Sequence, residues 1–597
     1  MHDGSLAGNI ESPSPRVFLV IRLSAAAILL GFGILACSRN DSPGGGSGEA
    51  TPGHQSVDGG SRAGAVPRRP PNILFILSDD QRADALSCMP KLGQLLRAQG
   101  TTFENNFVST PLCCPSRASI LTGKYAHDHG VRTNSDRTNQ DHEESGSDVS
   151  GVLQFNRNGN QERVFAKWLQ GAGYRTGLIG KYLNGYEFLV DQDRDGAGRP
   201  DNDVPPYWDS WHAFSRVDYY RFQLIEREGS AGRANRVCYV PPGERDSPKS
   251  KRCREHADNI MDGAENYSTD VLADKAVEFV TRAATDGVPF FLYLAPEAPH
   301  APFTSPARYQ PDSGKVEFTP LARARLGACD LFDWNNRPLS FLEADVSDKP
   351  DWVTALVGKL RPAALDDERR QQLVSVLAIE DAVEKMLTAL DRLGQRQNTV
   401  VVYTSDNGIS WGEHWWSRKN CAYDECSRVP LVIYDPRFPR VAAIQRELVL
   451  NIDLAPTFAE LAGISPPAQS KVNGMSFVGL AHGTATAWPR EHVLVESWGK
   501  WGRNCRPTAN CPDTQASVRT VDWKYIEHYQ DEGMKTVRTR SDGRLERELY
   551  DLVKDPFEVD NLLLMPTSAV LQRGYTQAQL EEKIADLQPK LEAAKRE

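Results

Sequence analysis

Three uninterrupted apolar segments stand out along the chain: 72–77 (NILFIL), 289–295 (PFFLYLA) and 399–403 (TVVVY). An apolar run without alternation predicts a strand that is covered on both faces, as in a parallel sheet. Amphipathic helices are predicted over 89–98, after the first segment, and over 368–393, before the third. Because strands alternate with helices, the pattern predicts an α/β domain with a mostly parallel sheet flanked by helices.

The pattern changes after the main domain, which we place at 71–465. A smaller C-terminal α+β domain is predicted over 466–597, closed by an amphipathic helix at 576–587 whose apolar side should dock on the core. Its predicted short strands and turns lie at 492–496, 517–528 and 548–552. Within the main domain, 186–266 is polar and rich in Gly and Pro, which favours a long surface insertion over core.

The first seventy residues have the features of an export signal and a tether. Residues 23–36 (LSAAAILLGFGILA) are too few to span a bilayer comfortably, but they are typical of a signal-peptide core. The segment 1–37 ends in ILAC, which resembles a bacterial lipobox with Cys37 as the lipidated residue. An uncleaved membrane anchor and an ordinary cleaved signal are the alternatives. Residues 38–70, rich in Gly, Ser and Pro, are predicted to be a flexible linker, so the folded part would face the periplasm or the cell exterior, held by a lipid anchor.

Composition excludes several classes of protein. The 597 residues are 40% hydrophobic and 25% charged, which are globular proportions. Lys+Arg 69 against Asp+Glu 79 gives a net charge of −10, and this acidity disfavours a nucleic-acid-binding protein. It does not exclude a polyanionic substrate, because a local basic pocket can lie in an acidic protein. The 11 cysteines are too few for a disulfide scaffold but more than most cytosolic enzymes need.

Oxygen-bearing side chains come directly after two of the predicted strands. Asp79 and Asp80 come after the first strand, and Asp406 and Asn407 come after the third. If these strands are neighbours, three carboxylates and an amide carbonyl meet at the carboxyl edge of the sheet, where active sites lie. Such like charges need a cation, and all-oxygen ligation favours Ca²⁺ or Mg²⁺ over Zn²⁺. The alternative is that each Asp caps a following helix.

A cysteine-centred segment at 113–124 (CCPSRASILTGK) is the third chemical feature. Pro115 suits the first turn of a helix, which would place Cys113 just before the helix N-terminus, where backbone N–H groups favour anions. Arg117, one turn further, adds a fixed positive charge. A buried or disulfide-bonded cysteine at a turn is the structural alternative.

The motif Cys113-x-Pro-Ser-Arg, with Leu-Thr-Gly at 121–123, resembles the signature of the formylglycine-dependent (type I) sulfatases. The resemblance spans about 71–563 and implies an alkaline-phosphatase-like fold. Finer features are similar to the N-acetylglucosamine-6-sulfatases and their heparan endosulfatase relatives. They are the double cysteine, GKYLN at 180–184, VPP followed by two Trp at 204–211, and APH at 298–300.

The resemblance implies a role for each matching residue. The calcium ligands would be Asp79, Asp80, Asp406, Asn407 and an oxygen of the modified Cys113. The residues that hold the modified cysteine and the sulfate, or that protonate the leaving oxygen, would be Arg117, Lys181, His300 and Lys419. Further substrate contacts are expected from Lys124, Asn184, His127 and His414.

The implied activity is that of a sulfuric ester hydrolase acting on a sulfated carbohydrate, with glucosamine-6-sulfate in a glycan as the best match. A maturation enzyme would convert Cys113 to 3-oxoalanine (formylglycine). One hydroxyl of its hydrate would attack sulfur, and the other would allow release of sulfate. Many sulfatases have Lys-x-His where this chain has Lys-Tyr-Leu at 181–183, which favours the glucosamine-6-sulfatase branch. The alternatives are an arylsulfatase, a phosphonate or phosphate monoester hydrolase of the same superfamily, and an inactive lipoprotein that binds sulfated glycans.

Two features remain open at this point. The cysteine pairs close enough for short-loop disulfides are Cys238 with Cys253, Cys421 with Cys426, and Cys505 with Cys511, which leaves Cys88, Cys114 and Cys329. The segment 191–196 (DQDRDG) begins like an EF-hand loop, but its twelfth position is Asn202 rather than Glu, so a solvated acidic turn is favoured over a second calcium site.

Overall fold

The computed structural model describes residues 69–134, 151–187, 189, 204–229, 232–255, 257–263, 266–310, 318–327, 329–333, 337–499 and 512–597. The predicted signal segment and nearly all of the linker lie outside these residues, as do the acidic segment 191–196 and the cysteines Cys505 and Cys511. Within the described part of the chain, no helix has the length and apolar character needed to span a membrane.

The strands and α-helices are numbered here in chain order. The described strands are β1 (Asn72–Ser78), β2 (Thr101–Phe103), β3 (Asn106–Phe107), β4 (Arg175–Gly180), β5 (Ser210–Arg216), β6 (Phe222–Glu228), β7 (Asn235–Val240), β8 (Asn259–Asp262), β9 (Phe290–Ala295), β10 (Thr399–Ser405), β11 (Leu431–Tyr434), β12 (Ala443–Gln445), β13 (Val449–Leu450), β14 (Val493–Ser497), β15 (Thr514–Arg519), β16 (Trp523–Tyr529) and β17 (Arg547–Asp551). The described helices are α1 (Pro90–Leu95), α2 (Cys113–Thr122), α3 (Ala126–His129), α4 (Gly151–Arg157), α5 (Phe165–Gly171), α6 (Lys251–Arg254), α7 (Ser268–Asp286), α8 (Pro320–Leu326), α9 (Asp330–Asp333), α10 (Asp351–Thr354), α11 (Pro362–Arg392), α12 (Asp424–Ser427), α13 (Leu454–Leu461), α14 (Val478–His482), α15 (Thr567–Gln572) and α16 (Gln577–Ala594).

The three apolar segments form the centre of the largest sheet. Strand β1 pairs in parallel with β9 on one side and β10 on the other, and every residue of the three strands is buried. The sheet has the order β12-β2-β11-β10-β1-β9-β4-β5-β6-β7-β8 among the described strands. All of these except β6 and β11 run in the direction of β1. The predicted mostly parallel α/β sheet is therefore confirmed.

Helices cover both faces of this sheet. Successive side chains of β1 point to opposite faces. Phe75 packs against Phe458 of α13, with ring centroids 5.0 Å apart, whereas Leu74 belongs to the core formed with α7 and α11. Each fully buried Leu, Ile or Phe contributes roughly 1.5–3 kcal/mol to stability. Helix α11 begins earlier than predicted, with Pro362 in its first turn, and α1 is shorter than predicted.

The prediction that 186–266 is a surface insertion is wrong for much of that segment. Strands β5 to β8 extend the central sheet, and Trp211 and Phe222 are fully buried within it. Polar side chains of the segment also lie on the sheet: Nε2 of the buried His212 is 2.7 Å from the carboxylate of the exposed Glu228. The segment's polar composition was misleading because several of its polar side chains are buried with hydrogen-bond partners: Gln223 accepts from the Ser215 hydroxyl at 2.8 Å and donates to the carbonyl of Cys253 at 2.8 Å.

A separate antiparallel sheet, β14-β15-β16-β17, comes after the main sheet in the chain. The predicted strand region at 517–528 is the hairpin β15–β16. Helix α16 starts at a capping box on Thr576 and buries Leu580 and Leu587 in the same core as β14 and β15, so its predicted docking is confirmed. The domain boundary at 465/466 stays a prediction.

Two of the predicted disulfides are present, Cys238–Cys253 and Cys421–Cys426. A third, Cys88–Cys329, joins residues 241 positions apart, a distance at which sequence proximity gives no signal. Among the described cysteines, Cys113 and Cys114 are free and buried.

Candidate active site

The ends of β1 and β10 bring the predicted carboxylates together. The two strands are paired in register, with Ser78 opposite Ser405, so the residues immediately after them emerge side by side. The backbone N–H of Asp80 donates to Oδ1 of Asp406 at 3.1 Å. Asp79, Asp80 and Asp406 are buried. The short 3₁₀ turn after Asp80 begins without a side-chain cap, so helix capping does not explain these carboxylates.

Asp80 and Asn407 form the second part of this cluster. Asp80 adopts a left-handed backbone conformation (φ 63°), which is costly for a residue other than glycine, and Gln372 of α11 donates to its carbonyl oxygen at 2.8 Å. The Asn407 amide donates to Oδ1 of Asp80 at 2.6 Å. Its own Oδ1 is buried and has no hydrogen-bond partner among the described residues. A buried acceptor left open beside three carboxylates fits an oxygen-ligated cation.

Cys113 is the first residue of α2. Pro115 had predicted that Cys113 lies just before the helix N-terminus, which differs from the observed start by one residue. Its sulfur is buried and accepts a hydrogen bond from Nζ of Lys419 at 2.8 Å, with Nζ of Lys181 at 3.9 Å. The thiol donates to Oδ1 of Asp79 at 3.6 Å. Burial, and then the charge of Asp79, raises the pKa of the Cys113 thiol well above its ordinary value, despite the two lysines.

Arg117, one turn along α2, holds the carboxylates in place. Its Nε donates to Asp406 at 2.8 Å, its Nη2 to Asp79 at 3.1 Å, and its Nη1 to the carbonyl of Lys181 at 2.9 Å. Burial alone would raise the pKa of Asp79, but Lys181, His300, Arg117 and Lys419 hold it well below its usual range. The cluster is thus a dense array of alternating charges in which each carboxylate has a basic neighbour.

Lys181 comes directly after β4, whose last residue is Gly180. At Gly180 (φ +118°) a β-carbon would lie 2.0 Å from the carbonyl oxygen of Ala295, so the close approach of β4 to β9 needs glycine. The N–H of Lys181 then donates to that same carbonyl at 2.7 Å. This geometry directs the Lys181 side chain to Asp79, with which it forms an ion pair.

His300 lies on the loop after β9, with its side chain about one-quarter exposed. Its Nε2 is 3.6 Å from Asp80, and its Nδ1 is 3.1 Å from the carboxylate of Glu297. Glu297 is also 3.6 Å from Nζ of Lys181, and burial raises its pKa. Sequence reasoning missed Glu297. The rule that found the aspartates, inspection of the residues just after each buried strand, would have found it after β9.

A second buried carboxylate that was missed, Glu413, connects two loops of the site. It accepts from Nη1 of Arg82, just after Asp80, at 2.7 Å, and from the N–H of Trp411 at 2.6 Å. Ser410 donates to both the side chain of Glu413 and the carbonyl of Trp416, and the Trp416 indole donates to the carbonyl of Lys419 at 3.1 Å. Glu413 therefore ties the loop that carries Lys419 to the loop that carries the aspartates.

The four predicted substrate contacts lie in different surroundings. Lys124 comes after the end of the ten-residue α2, so it lies about 15 Å along the helix axis from Cys113. Asn184 is near Cys114, whose sulfur is 4.0 Å from its carbonyl, and its Oδ1 is buried without a partner among the described residues. Asn184 thus lies next to Cys114, and Lys124 lies beyond the other end of α2 from Cys113.

The two histidines are both held by glutamates. Nδ1 of His127 is 2.8 Å from Glu496, which raises its pKa against the effect of burial. His414 is buried and stacks on Tyr423 with ring centroids 3.9 Å apart. Burial opposes its charge, but Glu343, 3.3 Å away, raises the pKa of His414 to about 9. The substrate roles of all four residues stay predictions.

A mostly parallel sheet whose carboxyl edge gathers carboxylates, basic side chains and a buried cysteine has the arrangement of an α/β enzyme active site. Comparison with protein families supports this class. The family model described as "Sulfatase" matches residues 71–464, and the model described as "N-sulphoglucosamine sulphohydrolase, C-terminal" matches residues 412–590. The chain belongs to the sulfatase family, whose members hydrolyse sulfate esters.

Curated relatives carry sulfatase names. The chain is 28% identical over 516 residues to the N-acetylglucosamine-6-sulfatase of Capra hircus, covering 83% of this chain and 80% of that protein. It is 29% identical over 444 residues to a Caenorhabditis elegans protein named as an extracellular sulfatase homologue, covering 71% of this chain. The match spans 52%, about half, of the length of that relative.

Solved structures share the fold. One, described as a complex with its substrate D-glucosamine-2-N,6-O-disulfate, has a TM-score of 0.57 at 23% identity and covers 88% of this chain and 98% of its own. The phosphonate monoester hydrolase of Agrobacterium radiobacter has a TM-score of 0.54 at 19% identity and covers 86% of this chain and 96% of its own. The fold alone therefore does not distinguish sulfur from phosphorus esters.

Proposed function

We propose that this chain removes the 6-sulfate from glucosamine residues of a sulfated glycan. The observation that carries the proposal is the position of Cys113: its sulfur lies at a helix N-terminus between Lys181 and Lys419, against the carboxylate cluster. This is where a reacting group and an anionic ester can meet. The names of the glucosamine-6-sulfatase relatives, together with the Lys-Tyr-Leu sequence at 181–183, support the choice of sugar.

The site fits both groups that the family implies. The residues that would hold a calcium ion are Asp79, Asp80, Asp406 and Asn407, and the open Oδ1 of Asn407 supports this set. Ligand atoms of Asp79, Asp80, Cys113 and His300 lie within 4.8 Å of one another, close enough to share one cation. A formylglycine derived from Cys113 would supply the nucleophilic hydroxyl, and Ca²⁺ would supply charge neutralisation.

The surrounding residues then have distinct tasks. Lys181 and Lys419 flank the position of the Cys113 sulfur and would bind the sulfate oxygens. Arg117 orients Asp79 and Asp406, since its guanidinium donates to both. These five residues are buried or nearly so, which excludes bulk water and strengthens each interaction.

His300 is suited to protonate the departing alcohol. Its Nδ1 lies 3.1 Å from the carboxylate of Glu297, which orients the ring, while Nε2 lies 3.6 Å from Asp80 on the side of the cluster. A proton held at Nε2 can pass to the leaving oxygen of the sugar. Export, lipid anchoring at Cys37, the maturation enzyme and the domain boundary at 465/466 belong to the same proposal.

Mass spectrometry of the tryptic peptide that carries Cys113, from protein co-expressed with a maturation enzyme, tests the modification. We expect the mass of formylglycine or its hydrate, and hydrolysis of N-acetylglucosamine 6-sulfate that chelators abolish. Cys113→Ala should remove all turnover. Cys114→Ala is the matched control, because Cys114 is equally buried one residue away, and it should retain activity within about tenfold. An intact thiol at Cys113, or turnover by Cys113→Ala, would defeat the proposal.

A phosphorus ester is the second candidate substrate, favoured by the shared fold of the phosphonate monoester hydrolase. A sulfate ester and a phosphonate monoester both carry one negative charge, but the transferred phosphonate group has a carbon substituent in place of one oxygen, so the two candidates differ in shape at the lysine pair. Comparison of kcat/KM for a sulfated sugar and for a phenyl phosphonate ester separates them. A higher kcat/KM on the phosphorus ester would reassign the enzyme.

A further inference from the structure

The loop that carries His300 has no regular structure of its own. It covers residues 296–306, between β9 and a short 3₁₀ turn at Ala307–Tyr309, and we call it the His300 loop. Every residue of this loop is described, and none belongs to a strand or helix. The N–H of His300 donates to the carbonyl of Glu297 at 2.9 Å, and the N–H of Phe303 donates to the carbonyl of His300 at 3.0 Å. A loop that pairs so little with itself needs contacts from neighbouring elements to keep one conformation.

The orientation of the His300 ring depends on the backbone of this loop. Nδ1 of His300 lies 2.6 Å from the carbonyl oxygen of Ala301 and 3.1 Å from the carboxylate of Glu297. Because a carbonyl oxygen can only accept, Nδ1 is the donor, and Nε2 is left on the side of Asp80, 3.6 Å away. Glu297 and Ala301 both belong to the His300 loop, so a shift of the loop backbone also moves the ring.

Three tyrosines hold the backbone carbonyls of the His300 loop, and we call them the tyrosine clamp. The Tyr219 hydroxyl donates to the carbonyl of His300 itself at 2.5 Å. Further along the loop, Tyr267 donates to the carbonyl of Thr304 at 2.9 Å, and Tyr220 donates to the carbonyl of Ser305 at 3.3 Å. The hydrogen bond from Tyr219 thus fixes the peptide group of the residue whose ring faces the carboxylates.

The tyrosine clamp is rigid because its members pack on one another. Tyr219 and Tyr267 are buried and stacked, with ring centroids 5.6 Å apart, and Tyr220 meets Tyr267 edge-on at 5.4 Å. The N–H of Ser268, the first residue of α7, donates to the carbonyl of Tyr219 at 2.8 Å. The connection between β5 and β6 and the start of α7 therefore form one support for the His300 loop.

We propose that Tyr219 is a positioning residue for the reaction, which acts through the carbonyl of His300 and keeps Nε2 of that ring in line with the leaving oxygen. Tyr220 and Tyr267 support the same loop further along. This inference deepens the proposed function and rests on it, because the role of His300 as proton donor is part of that proposal. Tyr219 itself takes no part in the bond changes.

The dependence of the rate on the leaving group tests the role of Tyr219. When the S–O bond of N-acetylglucosamine 6-sulfate breaks, the sugar oxygen needs a proton, whereas the nitrophenolate of nitrophenyl sulfate leaves without one. In the full-length, metal-loaded protein, Tyr219→Phe should lower kcat/KM for the sugar sulfate by roughly tenfold, because the donor is displaced. Its kcat/KM for nitrophenyl sulfate should stay within about twofold of wild type. Equal losses on the two esters would show a purely structural role and overturn the inference.

Tyr174→Phe is the matched control. Tyr174 is also buried and its hydroxyl also donates to a backbone carbonyl, that of Pro71, at 2.8 Å. Pro71 comes directly before β1, at the edge of the sheet opposite to Asp79. Both variants lose one buried hydrogen bond, so their Tm values should fall by similar amounts, but the ratio of kcat/KM for the two esters should change only in Tyr219→Phe. The same change of ratio in Tyr174→Phe would contradict the inference.

Hydrogen–deuterium exchange separates this inference from the proposed function, because it needs no turnover. Amides of the peptide 297–305 should exchange at least about threefold faster in Tyr219→Phe than in Tyr174→Phe, since the carbonyl of His300 loses one of its two donors. If the wild type hydrolyses neither sulfate but this difference is seen, the proposed function falls and the clamp on the His300 loop stands. If exchange is the same in both variants, the clamp is refuted, whatever the turnover.

Discussion

Replacement of Glu413 by Gln tests the idea that one buried carboxylate holds two catalytic loops together. Glu413 is fully buried and accepts from Arg82 at 2.7 Å, Trp411 N–H at 2.6 Å and Ser410 Oγ at 3.0 Å. A glutamine keeps the shape of the side chain but carries an NH₂ group. That group must face at least one of these donors, so one hydrogen bond is lost and the charge on Arg82 loses its buried partner.

The loss of stability in Glu413→Gln depends on which ion-pair partners Arg82 keeps. Breaking a buried ion pair from one side costs about 3–5 kcal/mol. Because Arg82 keeps Asp84 at 2.8 Å, we take the lower end, about 3 kcal/mol. For a folded unit that extends from Pro67 to Glu597, roughly 1 kcal/mol corresponds to one degree in Tm, so the Tm should fall by about 3 °C.

Scanning calorimetry at pH 7 measures this shift, with Glu592→Gln as control. Glu592 pairs with Lys595 at 2.6 Å but is 40% exposed, so its loss should change stability by no more than about 0.5 kcal/mol. The sulfatase kcat should fall with the Tm in Glu413→Gln, since the Lys419 loop is released. A Tm within half a degree of wild type and an unchanged kcat would refute the reasoning.

The contribution of Glu413 to stability depends on pH in a direction set by its pKa. Burial opposes the ionised form of Glu413, but Arg82 lowers its pKa below the ordinary value of 4.5. Its contribution to the free energy of unfolding is therefore fully present above pH 4.5 and is lost as the pH falls through the lower, folded pKa. The Tm difference between wild type and Glu413→Gln should be constant from pH 7 to pH 5 and should shrink only at more acidic pH.

Three further substitutions have expected outcomes on the same structural grounds. Asn407→Ala should weaken Ca²⁺ affinity at least roughly tenfold by isothermal titration, because it removes an open buried oxygen ligand; unchanged affinity would exclude Asn407 from the cation site. Glu297→Gln should lower kcat by roughly ten- to a hundredfold with little change in KM, because the ring of His300 loses the carboxylate at 3.1 Å, and a rise in KM alone would contradict that role. Cys238→Ser combined with Cys253→Ser should lower the free energy of unfolding by about 3 kcal/mol in denaturant titrations, because the bridge closes a short loop of separation 15; no change would show that the loop is held by other contacts.

The sequence determined the centre of the fold and most of the candidate site. A strand made only of apolar residues must be covered on both of its faces, so the apolar runs predicted β1, β9 and β10 as buried strands. Their alternation with helices along the chain predicted a parallel sheet. The meeting of Asp79, Asp80 and Asp406 was predictable for a related reason, because parallel strands place their carboxyl ends at one edge of the sheet. To predict that Asp79 and Asp406 lie close together, it was enough to assume that their strands are neighbours in the sheet.

Sequence reasoning failed where polar residues are buried in pairs. Segment 186–266 has the composition of a surface loop, yet it supplies four strands, in which polar side chains such as Ser215 and Gln223 are buried and bonded to each other. Glu297 and Glu413 were passed over for a related reason. A carboxylate orients another side chain only if the two are in contact. The contacts of Glu297 with His300 and of Glu413 with Arg82 are formed by the fold and cannot be recognised from the sequence.

Only the tertiary structure decided which charges share a pocket. The helix motif predicted that Cys113 lies at a helix N-terminus, but nothing local indicated that Arg82 and Glu413, far apart in the chain, would form a buried ion pair. The local pattern of apolar residues predicts which faces of a strand or helix are buried, because that pattern is carried by residues close together in sequence. Electrostatic contacts between loops depend on distances that are set only when the sheets have packed, so the pairing of these charges could not be predicted from the sequence alone.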